Sequence, residues 1–247
     1  MKSRIFLFFA IVSVAGMLAM SGCHRDDDEQ NGRNGRNGRT TGTLSGHDYV
    51  DLGLPCGTKW ATCNVGANSP EEYGDYFAWG EIAPKDTYTM TNYRYGTYDL
   101  AGYVQLYKYN TYDRYGQVDN LTSLEASDDA AIANWGSGWR MPTKDEFKEL
   151  ETYCTRTWTT QNLVPGSLFT GPNGNSIFLP AAGRYDGSAL AGLGSCGLYW
   201  SSLLSYYSRE DSCEAEDFIF TSNECTTSNG IGSMRWLGYS IRPVCNR

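Results

Sequence analysis

The pairing of abundant aromatic residues with abundant glycine constrains this chain most. Eighteen tyrosines, seven tryptophans and 28 glycines occur in 247 residues. Side chains this large supply much of the burial, and their N–H and O–H groups tie loops down. Stretches of helical periodicity are few and short. The expected fold is therefore α+β and loop-rich, with short strands and one or two short helices. Residues 46–247 are enough for a single domain of about 200 residues with a sizeable core. Residues 1–39 contribute +2 to a net charge of −8, leaving −10 on the remainder. So acidic a domain argues against nucleic acid, whose phosphates demand a basic patch.

The N-terminus has a different character. Lys2 and Arg4 precede an apolar run of 15 residues from Ile5 to Ala19, followed by Met20-Ser21-Gly22-Cys23. A membrane-spanning helix needs about 20 apolar residues, so the run reads as a removable secretory signal. Its end resembles a lipobox, with Met20 where leucine is commoner. That resemblance makes residues 1–22 a signal peptide and Cys23 the lipidation site. An ordinary secretory signal with a coincidental cysteine is the alternative, and either sends the chain out of the cytoplasm. Asp26-Asp27-Asp28-Glu29 cannot attach to anionic lipid, because like charges repel. The cluster resembles the acidic export signal of some Bacteroidetes lipoproteins, which implies an outer-membrane anchor facing the exterior; a solvated charge run is the alternative. Asn31-Gly32-Arg33 then repeats as residues 34–36 and 37–39. Without apolar side chains it cannot build a core, so residues 23–45 read as a flexible tether.

Along the domain, Asp48 to Pro55 and Lys59 to Gly66 read as short strands, and residues 86–117 as a long ordered loop or irregular hairpin. Ser127 to Gly136 reads as a short helix capped by Ser127 and stopped by Gly136. Thr143 and Glu146 form a capping box, and Phe147, Leu150 and Cys154 share the apolar face of the helix it starts. Strand candidates follow at residues 176–179, 197–201, 215–220 and 238–244.

These blocks together resemble the Fibrobacter succinogenes major paralogous domain. The resemblance is carried by Tyr49 to Pro55, Lys59 to Ala67, Glu72 to Glu81, Trp139 to Thr143, Phe178 to Gly183, Tyr199 to Ser202 and Gly238 to Val244. It implies a C-type-lectin-like fold related to the formylglycine-generating enzymes, and it implies no common activity. Cys56 stands where serine is usual, and Cys196, Cys213 and Cys225 look like additions.

Seven cysteines follow Cys23. In an oxidising compartment they permit up to three disulfides of undetermined pairing. The chain has two histidines, His24 and His47, which leaves little for Ser-His-Asp, Cys-His or histidine-metal chemistry. The enzymes related to the suggested fold use a histidine cluster or a C-terminal cysteine pair; the first is missing, and no motif surrounds Cys213 and Cys225. Glycosidase carboxylates among Glu72, Asp75 and Glu81 have no readable separation. The expectation is a binding module and not an enzyme. Residues 205–236, rich in Tyr, Ser, Asn and charge, are its expected ligand surface, with Tyr206, Tyr207, Arg209, Glu210, Asp211, Asn223, Glu224, Asn229 and Arg235 as the contacting side chains. Residues 201–235 also have the composition of lectin-like segments diversified by templated mutagenesis. Trp139, Arg140, Trp200 and Arg242 read as structural, the arginines satisfying buried carbonyls or a carboxylate. The expected partner is an extracellular glycan or protein, with membrane contact through the lipid alone. A structural role in surface assembly is the alternative. No cofactor is expected; calcium stays open, although no run of oxygen ligands resembles a known calcium loop.

Overall fold

The computed structural model describes residues 41–205, 213–227 and 232–246. The expected signal peptide, Cys23 and the acidic and repeat segments lie outside the described residues. β1 (Gly42–Leu44), β2 (His47–Asp51) and β3 (Lys59–Ala61) precede a long stretch whose only strands are β4 (Gly96–Tyr98) and β5 (Val104–Leu106). Two helices follow, α1 (Ala130–Trp135) and α2 (Lys144–Tyr153), and then β6 (Thr155–Gln161), β7 (Val164–Thr170) and β8 (Ser176–Pro180). The chain continues through β9 (Arg184–Asp186), β10 (Ala189–Ala191), β11 (Cys196–Leu204) and β12 (Glu214–Thr221). It ends with β13 (Cys225–Thr227), β14 (Ser233–Met234) and β15 (Val244–Cys245). The fold is mostly β and loop-rich, with two helices and several small antiparallel sheets, compatible with the expected α+β class.

One sheet has the order β1-β2-β3-β15, so the first and last strands of the domain share it. A second is the meander β6-β7-β8, and a third is β11-β12-β13 with β14 beside β12. The tyrosine-rich stretch forms the small hairpin β4–β5 with 3-10 turns at Met90–Asn92 and Asp113–Tyr115. Residues 238–244 form mostly single bridges, to Phe77, Tyr185 and Tyr199, where a continuous strand was expected.

Helix α2 starts as its sequence demands. Thr143 Oγ1 accepts from Glu146 N, and the Glu146 carboxylate accepts from Thr143 N. Phe147 and Leu150 are fully buried and Cys154 half-buries on the same side. The cap of α1 differs from expectation. Residues 126–128 form a 3-10 turn that contains Ser127, and the helix begins after Asp129. The Asp129 carboxylate takes Ala131 N at 2.8 Å and Ile132 N at 3.1 Å, and it also accepts from Met141 N at 2.8 Å. A carboxylate that satisfies three main-chain donors outcompetes a hydroxyl. Gly136 ends the helix at φ 93°, donating to Ile132 O.

The core has two parts. One gathers α2 with Val50, Leu52, Trp60, Phe169, Phe218 and Val244. Phe147 stacks on Phe218 at 4.7 Å and meets Trp60 at 5.3 Å. The larger part is aromatic, and its polar atoms tie distant loops together. Trp79 Nε1 donates to Ser201 O, Trp139 Nε1 to Leu44 O and Trp200 Nε1 to Phe77 O. Tyr76 OH reaches Ala182 O and Tyr93 OH reaches Trp79 O, and in the smaller part Tyr199 OH reaches Pro180 O. Each such bond contributes about 1 kcal/mol and replaces the ladder bonds that long strands would supply.

The β6–β7 hairpin turns through Asn162 and Leu163, at φ 46° and 68°. Such a turn favours glycine at its second position, because a leucine Cβ crowds the backbone there. Leu163 is 94% exposed and gains nothing from burial. Leu163→Gly should therefore stabilise the protein by about 0.5–1 kcal/mol after the extra entropy of unfolded glycine is subtracted. Differential scanning calorimetry should show a rise of about 2 °C; an unchanged or lowered midpoint would mean that the turn carries no strain.

Candidate functional site

Of the expected ligand residues, Asn223, Glu224 and Arg235 are described, and these three do not share one surface. Tyr206, Tyr207, Arg209, Glu210, Asp211 and Asn229 lie outside the described residues. Asn223 and Glu224 are exposed in the tight β12–β13 turn, where Thr221 Oγ1 accepts from both of their amides. Arg235 sits by the opposite end of β12, its amide bonded to Cys213 O. The strand between spans about 23 Å. Arg235 is also 0% exposed, stacked over Trp79 and Tyr93 and donating to Lys108 O and Tyr109 O. A guanidinium enclosed in aromatic rings secures the core, so Arg235 moves from the ligand surface to the structural set. Arg242 and Arg140 occupy the structural positions expected of them: Arg242 serves three carbonyls and Asn64, and Arg140 serves Glu146.

The groups considered for chemistry are mostly engaged. His47 stacks on Trp135 at 3.7 Å, and burial lowers its pKa. The carboxylate of Glu81 is held by Lys85 and Arg94 N, and that of Glu72 by Asn68 N. Among the described residues no two cysteines are joined in a disulfide. Burial pushes Cys154 up to about 12 and Cys225 up to about 11, which makes both poor nucleophiles at neutral pH. Cys213 precedes β12 while Cys225 pairs with Phe220 near its other end, so they do not form a cysteine pair. Among the described residues no three acidic, cysteine or histidine side chains gather as a metal site.

A polar and aromatic cleft of about 420 Å³ lies elsewhere, lined by Asp75, Tyr76, Lys85, Asp86, Tyr88, Tyr185 and Ser188. Main-chain bridges fix its walls. Tyr185 exchanges both hydrogen bonds with Gly238, and Tyr88 does the same with Gly187. Tyr88 OH donates to Tyr76 O at 2.5 Å and accepts from Lys85 N. The half-buried Tyr185 ring stacks on Tyr88 at 5.6 Å and meets Tyr76 edge-on at 4.9 Å. Lys85 is neutralised by Glu81 at 2.8 Å, which leaves Asp75 and Asp86 to set the sign of the cleft. The phenols of Tyr76 and Tyr88 stay protonated, since burial raises both pKa values, that of Tyr88 to about 12. The cleft thus offers an aromatic wall, a serine hydroxyl and two carboxylates that accept hydrogen bonds, without a nucleophile activated for attack.

Sequence reasoning missed this site because its residues come from three separated segments, each with an ordinary turn composition. The Asp186-Gly187-Ser188 turn after Tyr185 is its one local signal. No family model, curated protein or solved structure matches the chain.

Proposed function

We propose that the chain is a lipoprotein anchored through Cys23 at the outer membrane, on its exterior face, and that its domain binds an extracellular glycan. The N-terminal run, its closing cysteine and the acidic residues behind it support the anchor. The reading as a relative of the Fibrobacter succinogenes major paralogous domain, with a lectin-like fold, rests on the sequence blocks. The observation that carries the binding role is the Tyr185 cleft: an aromatic ring beside carboxylate and hydroxyl acceptors is the chemistry that recognises the apolar face and the hydroxyls of a sugar. Its volume falls within the usual range for small-ligand sites. A binding role suits this cleft better than catalysis by its phenols, because burial keeps Tyr76 and Tyr88 protonated at neutral pH.

The test is a glycan array probed with the detergent-solubilised chain, with and without calcium, followed by titration of each hit. Tyr185→Ala should weaken the best hit by about tenfold or more, as loss of one stacked ring costs at least about 1.4 kcal/mol. Asp75→Asn should weaken it further. If the hits survive both substitutions unchanged, the cleft is not the binding site.

A further inference from the structure

A second surface has the same chemistry in a different form. The β4–β5 hairpin extends beyond its strands, with Tyr107 N bonded to Tyr95 O at one end and Asp99 N bonded to Tyr103 O at the other. Side chains alternate along it. Val104 and Leu106 turn inward to the aromatic core, which leaves Tyr103, Gln105 and Tyr107 on the outer face. Tyr103 is 62% and Tyr107 65% exposed. Four residues of extended chain separate the two rings by about 13 Å. Beside Tyr107 a shallow cleft of about 390 Å³ is lined by Gln105, Leu106, Gly116, Gln117 and Asp119. Gly116 has φ 113°, and a Cβ there would stand 3.1 Å from Leu106 O and 3.4 Å from Gln105 Oε1, so the bare backbone keeps this floor open.

The platform is rigid. The Asp99 carboxylate accepts from Ala101 N and Tyr103 N, which locks the hairpin tip. Asp119 accepts from Tyr109 N, Asn110 N and Leu121 N. Lys108 is held by Asp128 and Glu125. These groups brace the scaffold, and the outward surface presents phenol rings, side-chain amides and, at the cleft, the Asp119 carboxylate. Exposed phenol rings interleaved with amides suit a chain of neutral sugars, whose C–H faces pack on the rings while their hydroxyls bond the amides.

We propose that the outer face of this hairpin is a second carbohydrate site, which takes a neutral polysaccharide across Tyr103 and Tyr107 with Gln105 and Gln117 bonding its hydroxyls. It does not depend on the Tyr185 cleft. The test is affinity electrophoresis of the full chain in detergent, through gels containing starch, xylan, mixed-linkage β-glucan, galactomannan or arabinan. At least one polymer should retard the protein. Tyr107→Ala should weaken that retardation about tenfold and the double change with Tyr103→Ala more, whereas Tyr107→Phe and Tyr185→Ala should retain it. Both tyrosines are exposed, so unchanged thermal melting will verify folding. Absence of retardation in every gel would overturn the proposal. So would retardation indifferent to the double change, or retardation lost only in Tyr185→Ala.

Discussion

Arg242→Lys is expected to lower the free energy of unfolding by about 3 kcal/mol, and Arg242→Met by about 5 kcal/mol or enough to abolish folding. Arg242 is 0% exposed and, among the described residues, forms no ion pair with a carboxylate. Burial lowers its pKa, yet the guanidinium remains the cationic donor that this site requires. Its Nε bonds Asn64 Oδ1 at 2.9 Å, Nη1 bonds Ala61 O and Thr62 O, and Nη2 bonds Phe178 O at 3.0 Å. It thereby joins the end of β3, strand β8 and the C-terminal segment. Lysine keeps the charge but has one compact head, which cannot face acceptors arrayed around a planar fork. Methionine keeps much of the volume and strands every acceptor, each at about 1–3 kcal/mol. Urea denaturation monitored by tryptophan fluorescence measures both. A loss below about 1 kcal/mol for the lysine variant would show that the fork is dispensable.

This arginine also marks how far the sequence could be read. A cation inside the run Tyr239-Ser240-Ile241-Arg242-Pro243 has to be satisfied internally, so a structural role was legible, although its partners were not. The capping box at Thr143 and Glu146 was legible because both halves lie within one turn of chain. The short runs that become β8, β11 and β12 were readable for the same local reason. The β6–β7 hairpin was hidden: Thr155 to Gln161 is nearly all polar, Pro165 and Gly166 interrupt β7, and Leu163 occupies the position where glycine would have signalled the turn. Arg235 looked like a loop residue because its neighbours are Ser, Asn and Gly; only the packing of Trp79 and Tyr93 from far upstream encloses it. The Tyr185 cleft was beyond a one-dimensional reading, since it arises where distant segments cross.

Glu146→Gln should cost about 2–3 kcal/mol at neutral pH and flatten the acid limb of the stability curve. Burial pushes this carboxyl up, but hydrogen bonds from Arg140, Thr58 and Thr143 outweigh it and hold the pKa below the usual glutamate range. Arg140 binds both oxygens, at 2.7 and 2.5 Å, Thr58 Oγ1 donates at 2.6 Å and Thr143 N at 2.8 Å. Through Arg140, whose main chain bridges Val244, the carboxylate couples the start of α2 to β15, and through Thr58 to the approach of β3. The glutamine amide keeps the shape, but its NH2 faces guanidinium donors and its charge is gone. Because the folded pKa is depressed, the carboxylate's contribution is complete above the unfolded value and fades as pH falls through it, from about pH 5 downward. Asp51, Asp128 and Glu71 also titrate below their usual ranges, so the wild-type protein should lose stability over the same span by several routes. The difference between wild type and Glu146→Gln, measured by urea midpoints at intervals from pH 7 to about pH 3, should therefore shrink steadily on acidification. A difference that stays constant across that range would mean that shape at residue 146, and not its charge, secures the helix to the sheet.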